Sequence, residues 1–183
     1  TGSAPAWEDV PAGITNKTLG TSSIMIGDSA TGTINAADYN TGVGIDVFAA
    51  LTSGDDNTAV GFGALKLNSD GHSNVAMGAY ALDANTTGDW NVAIGKYALS
   101  SVQTTNSSTA VGTDALATST GEQNTAFGYQ ALRLNTSAAA NVAVGFESLI
   151  TNQTGTYQTA VGYRALKASI VSSNTAVGAF AGQ

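Results

Sequence analysis

The chain has 183 residues, 43% of them apolar and only 10% charged, with 22 Gly, 2 Pro, a single His, no Cys and a formal charge of −7. This composition excludes a basic nucleic-acid-binding face, a disulfide scaffold and any cysteine-based zinc site or nucleophile, and the acidic balance disfavours DNA and lipid headgroups as partners. A globular domain ordinarily carries about a quarter charged residues; here Ala, Gly, Thr, Ser and Asn take their place, and missing charge points to covered surface.

Residues 1–21, with Pro5, Trp7 and Pro11, contain no repeat and read as a lead-in segment or linker from a preceding domain. The opening Thr-Gly-Ser-Ala-Pro-Ala-Trp has neither an initiating Met nor a signal-peptide layout. No apolar run approaches the length of a membrane span, about 18 residues. A soluble piece of a longer chain, without membrane insertion, is therefore expected.

Residues 22–183 are periodic. A tetrad ending in glycine first occurs as Ile24-Met25-Ile26-Gly27 and returns nine times, closing on Gly44, Gly61, Gly78, Gly95, Gly112, Gly128, Gly145, Gly162 and Gly178. Successive glycines stand seventeen positions apart, one fewer before Gly128 and Gly178. Each unit reads Asn-Thr-Ala-Val-Gly, two variable residues, Ala-Leu, then a polar stretch of roughly half the unit. Leu65, Leu82, Leu99, Leu116, Leu132, Leu149 and Leu166 form one column, and Asn40, Asn57, Asn74, Asn91, Asn124, Asn141 and Asn174 another. In the second unit, Ile45-Asp46-Val47-Phe48-Ala49-Ala50-Leu51 delays Ala-Leu by three residues, which predicts a local bulge.

A helical repeat needs about 30 residues or more and would not centre on β-branched residues and Gly. The Thr/Val-Ala-Val/Ile stretch predicts a short strand, Ala-Leu allows a second one after the glycine bend, and turns such as Asn85 to Gly88 bring the chain round. The fold class expected is all-β, a parallel β-solenoid of about ten coils in which each strand pairs with its equivalents above and below. Alternation separates Thr/Val and Val/Ile from Ala and Gly. Either the larger residues fill the coil and the Ala–Gly face admits another backbone, or the assignment is reversed. One coil holds too little apolar mass to offset the cost of ordering it, so further copies are expected to cover it, and closed symmetry makes a homotrimer plausible.

Candidates for chemistry are few. His72 has only Asp70 nearby in sequence and reads as an exposed loop residue; Asp55-Asp56 lacks the pattern of a calcium β-roll and reads as ordinary turn solvation. An aromatic follows the glycine by one or two positions in most units: Phe62, Tyr80, Tyr97, Tyr129, Phe146, Tyr163 and Phe180. These rings are either receptor contacts or a structural ladder, and the second reading is preferred because a feature of nearly every coil serves the coil first. The Thr rank Thr58, Thr109, Thr125, Thr159 and Thr175 is interrupted by Val75, Val92 and Val142, which argues against an ice-binding face. Asn-Thr-Thr and Asn-Ser-Ser match the glycosylation pattern.

Units such as Asn57-Thr58-Ala59-Val60-Gly61-Phe62-Gly63-Ala64-Leu65 and Asn124 to Leu132 resemble repeats of bacteriophage tail-fibre and virion-fibre proteins. They are also similar to the Ser-Val-Ala-Ile-Gly repeats of trimeric autotransporter adhesin heads. Both resemblances imply a left-handed parallel β-roll assembled as a homotrimer. The longer unit here and the Ala-Leu after the bend favour the fibre. The expected protein is therefore a non-enzymatic virion fibre component, without cofactor or metal. Its expected partners are other fibre or tail proteins and a host-surface glycan or protein. The alternative is an adhesin head on a bacterial surface.

Overall fold

The computed structural model describes residues 37–183 together with the backbone of two earlier strands, Thr15–Asn16 and Ile24–Gly27. The expected lead-in segment, residues 1–21, otherwise lies outside the described residues. The chain is all-β, with no helix among the described residues. Its strands are β1 (Thr15–Asn16), β2 (Ile24–Gly27), β3 (Thr41–Val43), β4 (Thr58–Val60), β5 (Val75–Met77), β6 (Val92–Ile94), β7 (Thr109–Val111), β8 (Thr125–Phe127), β9 (Val142–Val144), β10 (Thr159–Val161) and β11 (Thr175–Val177). They form one sheet in sequence order. Every pair from β2 onward is parallel, with unit-equivalent residues facing each other: Thr58 pairs with Val75, Ala59 with Ala76 and Val60 with Met77. β1 alone is antiparallel, against β2. The nine strands β3 to β11 enclose eight complete turns of a parallel β-solenoid, a stack about 38 Å long at about 4.8 Å per strand spacing.

Of the two possible face assignments, the molecule adopts the one with the small residues inside. The middle residue of each strand points inward, and Ala59, Ala76, Ala93, Ala110, Ala126, Ala143 and Ala160 are fully buried. The flanking Thr, Val, Ile, Met and Phe point outward. At most levels the interior holds the strand Ala, the Ala-Leu pair and one or two Asn; in the second unit, where Gly42 takes the strand centre, Val47, Phe48 and Leu51 fill it instead. Small residues at the strand centre are what allow the coil to close.

No second strand follows the glycine. Leu65, Leu82, Leu99, Leu116, Leu132, Leu149 and Leu166 instead have φ between 47° and 52°. Two consecutive side chains cannot point to one side of an extended strand, and the left-handed Leu turns the chain so that Ala and Leu both enter the core. Coil-to-coil hydrogen bonding nevertheless continues beyond the strands: the Leu65 N–H donates to the Ala81 carbonyl at 3.1 Å, and the Ser69 N–H to that of Thr86 at 3.0 Å.

The bulge expected in the second unit is absent. Val47 and Phe48 occupy the Ala-Leu places, Phe48 with the same left-handed backbone at φ 52°, and Leu51 sits where the next coil has Asn68. All three are fully buried, so substitution within the frame replaces insertion. The two shortened units lose their residue in the turn opposite the strand. There Ser119 and Ser169 replace the Asn seen at Asn68, Asn85, Asn135 and Asn152. A shorter side chain suits a turn tightened by one residue, and Ser119 Oγ still donates to the Gly121 carbonyl at 3.2 Å.

Buried Asn tie the coils together. The Asn57 N–H donates to Asn40 Oδ1, that of Asn74 to Asn57 Oδ1 and that of Asn91 to Asn74 Oδ1, each at 2.9 Å. Each amide nitrogen donates to a turn carbonyl one coil on, as Asn57 does to Gly71 and Asn74 to Gly88, both at 2.8 Å. A second column closes the turns locally: Asn85 Oδ1 accepts from the Gly88 N–H at 3.1 Å, and its Nδ2 donates to the Gly88 carbonyl at 3.0 Å. These side chains satisfy turn peptides that no water reaches.

The glycine after each strand adopts φ between 125° and 142°. A Cβ on Gly128 would overlap the Gly145 carbonyl oxygen and stand 2.6 Å from its carbon. The close backbone neighbour is thus the next coil of the same chain. Gly128→Val is expected to destabilise the chain by about 3 kcal/mol or more, through backbone strain plus displacement of the next coil. Asn74→Ala, which orphans the Asn91 N–H and takes from the Gly88 carbonyl one of its two donors, is expected to cost about 1 to 3 kcal/mol. Chemical denaturation followed by circular dichroism checks both, and midpoints equal to the parent's would contradict these roles.

Candidate functional site

The seven aromatics lie along one corner of the rod, just after the glycine column, in two runs. Phe62, Tyr80 and Tyr97 form the first; Tyr129, Phe146, Tyr163 and Phe180 form the second. Asp114 interrupts them in the coil between. Where neighbours share the same offset from the glycine, the rings stack: Tyr80 on Tyr97 at 5.4 Å and 10°, Tyr129 on Phe146 at 5.1 Å and 18°, Phe146 on Tyr163 at 5.3 Å and 13°. Where the offset changes from one residue to two, they meet edge to face, Phe62 with Tyr80 at 76° and Tyr163 with Phe180 at 73°. Gly63 makes room at the first such change, its missing Cβ lying 3.2 Å from Tyr80 Cδ1.

Stacked rings turn their faces to one another and leave mainly edges for solvent. A sugar or a partner's apolar group needs a ring face, so this geometry favours the structural ladder over a receptor strip. Contacts of this kind contribute about 0.5 to 1.5 kcal/mol per pair beyond burial. Cations complete the corner: Lys96 Nζ lies 4.9 Å from the Tyr97 ring centre, and the Arg164 guanidinium 5.1 Å from that of Tyr163.

Arg164 Nε also donates to Glu147 Oε2 at 2.8 Å, and Lys167 Nζ lies 3.3 Å from the same oxygen. Desolvation pushes the Glu147 carboxyl up, but the hydrogen bonds and charges of Arg164 and Lys167 together outweigh it and hold the group below its ordinary value. Asp70 is likewise lowered, first by the hydroxyl of Ser53, then by those of Ser69 and Thr52. Asp83 moves the other way. Burial raises it, and its Oδ1 is buried without a partner.

His72 is half-exposed, and its Nδ1 accepts the Asp55 N–H at 3.0 Å. It belongs to a ladder in which the Asp38, Asp55 and His72 peptides each donate to the side chain one coil on, the last to Asp89 Oδ1 at 2.7 Å. Asp55, expected to serve turn solvation, therefore ties two coils. Among the described residues no group of three or more His, Asp or Glu is placed to hold a metal ion, and no helix is long and apolar enough to cross a membrane. Asn85 of the Asn-Thr-Thr sequon is fully buried with its amide engaged, so glycosylation there would require opening the coil. Asn106 of Asn-Ser-Ser is more accessible.

Two features escaped the sequence reading. One is that the outward face of the sheet, left open as one of two assignments, forms an uncharged stripe of Thr and apolar residues along the described strands. The other is a set of lone exposed aromatics, Tyr39, Trp90 and Tyr157, which do not follow the strand-ending glycine and recur too sparsely to register as a column. A groove at the last coil, lined by Leu166, Ile170, Val171, Asn174 and Ala176, marks where the core is left open and gathers no titratable groups. No family model, curated protein or solved structure matches the chain.

The shifts of Glu147 and Asp70 fix a sign for acid stability. Both carboxyls sit lower when folded, so the stability they lend is complete above their unfolded values and drains away as pH falls through the folded ones. Glu147→Gln is expected to melt lower than the parent at pH 7, with the difference closing as pH falls below about 4. Thermal melts at a series of pH values check this; a gap that persists at low pH would contradict the assigned ion pair.

Proposed function

We propose that this protein is a structural component of a bacteriophage fibre, a homotrimer of left-handed parallel β-solenoids that supports or mediates attachment of the virion to a host surface. The observation that carries the reading is the outward face of the sheet. From Thr41 to Val177 every outward strand position is Thr, Val, Ile, Met or Phe, and none is charged. Phe127 is 55% exposed and Met77 47% in the lone chain. An uncharged stripe running the length of the rod marks an interaction surface, and identical sister chains around an axis present identical stripes to cover it. The ladders then give a stiff spacer whose stability is built from nearest-neighbour coil contacts. The length of the unit, with Ala-Leu after the bend, favours the fibre over the adhesin head.

Analytical ultracentrifugation is expected to return three times the chain mass of 18.2 kDa. A mass near that of one chain would remove the trimer. Ile94→Asp combined with Val144→Asp, at outward positions the coil itself does not need, is expected to yield a folded monomer with an unchanged far-ultraviolet spectrum.

A further inference from the structure

The stacked rings recur because the coil uses them; the lone rings answer to something else. The residue just before the strand-leading Asn column is left-handed in each described coil, and most coils place a small or polar residue there: Asp56, Ser73, Ser107, Gln123, Ala140 and Ser173. In three places it is a large aromatic, Tyr39, Trp90 and Tyr157, at φ 58°, 56° and 57°. They are 60%, 63% and 70% exposed. A bulky side chain on a left-handed backbone is strained, and the coil folds elsewhere without one. Among the described residues none of the three makes a ring or cation contact, and more than half of each stays open to solvent.

We propose that Tyr39, Trp90 and Tyr157 form a row of contacts for a neutral, extended glycan lying along the rod. Three coils separate Tyr39 from Trp90 and four separate Trp90 from Tyr157, about 14 Å and about 19 Å at about 4.8 Å per coil. Each ring stands among hydrogen-bonding groups, Trp90 beside Asp89 and between Ser73 and Ser107 of the same column, Tyr157 beside Thr156 and below Ser173. That combination suits a pyranose, whose C–H face lies on a ring while its hydroxyls need polar partners. A protein partner would call for one contiguous dry patch with clustered anchors, which rings this far apart do not supply. The net charge of −7 disfavours anionic sugars.

This inference rests on the attachment part of the function proposed above and not on the oligomeric state. Trp7→Phe leaves Trp90 as the sole tryptophan of the 2 present. Titrating that protein with cellohexaose, laminarihexaose and chitohexaose is expected to give a saturable shift in Trp90 emission with at least one of them. By calorimetry, Tyr157→Ser and Trp90→Ser are each expected to weaken that binding about tenfold or more. Serine is the residue the chain itself uses at 73, 107 and 173, so melting no lower than the parent's is expected. Three results would overturn the proposal: no binding to any of the three sugars, binding undiminished in the triple serine variant, or a changed sedimentation mass in that variant, which would make the rings subunit contacts. A protein of trimer mass that binds none of these sugars would sink the glycan site and leave the fibre reading standing.

Discussion

The structure depends on a backbone that closes around almost nothing. At most levels the interior admits little beyond two Ala, one Leu and the buried Asn, and a coil that narrow cannot rely on apolar burial alone to hold its shape. Every described coil also carries non-glycine residues on a left-handed backbone, as Tyr80, Leu82 and Trp90 do in one of them. Such residues cost on the order of 1 kcal/mol or more each. What offsets this is repetition. Each coil donates to and accepts from its neighbours around the whole circumference, and the Asn ladders satisfy inward peptides for which no water is available. A single coil is therefore unstable in isolation, while a stacked one is fixed from both sides.

That dependence makes one stretch of the rod distinctive. Between Leu99 and Asn124 the ladders fail together. Val102 replaces the turn Asn, Thr105 replaces the turn Gly and leaves its Oγ1 buried without a partner, Ser108 replaces the strand-leading Asn, Asp114 replaces the aromatic, and the turn after Ser119 is one residue short. The changes are mutually consistent. Val102 carries no amide, so the turn it heads loses the local clasp that Asn85 makes with Gly88 and Asn135 with Ala138. Ser108 still accepts through its hydroxyl, from the Asn124 N–H at 3.3 Å, a longer bond than its Asn equivalents make. The side-chain ladders are thinnest here, while the backbone pairing of β6, β7 and β8 continues unbroken.

Much of this was legible in the sequence. The period, the parallel pairing and the solenoid follow from ten tetrads at near-constant spacing, because in a stacked fold spacing and register are the same quantity. The direction of the strand faces was not legible. Thr-Ala-Val alternates whichever way it points, and only the closed coil, its interior already filled by the Ala-Leu pair and Asn, decides. The second strand expected at Ala-Leu failed because propensity carries no sign that Leu would be left-handed; nothing local favours it, and the tertiary demand that both side chains enter the core imposes it. The bulge expected near Phe48 failed for a related reason. Pattern matching aligned Leu51 with the Leu column, whereas Phe48 fills that place and Leu51 fills an Asn place, an exchange visible only once the coil is closed. Of the candidate site, the aromatic column could be read directly, but not the fact that its faces are spent on one another. Tyr39, Trp90 and Tyr157 were missed because repeats train attention on what recurs.

The same contrast separates structural from functional residues in any fold of this kind. A ladder residue is constrained by its equivalents above and below, so its identity reports on the stack. A residue that breaks a tolerant column with a larger, strained and exposed side chain is constrained by neither neighbour. Its backbone is strained as it would be for any non-glycine residue there, and burial returns little, since well over half of each residue remains in water. The rings at 39, 90 and 157 are therefore the members of this column that the coil itself explains least, which is why the proposal of a bound sugar rests on them and on the polar residues beside them.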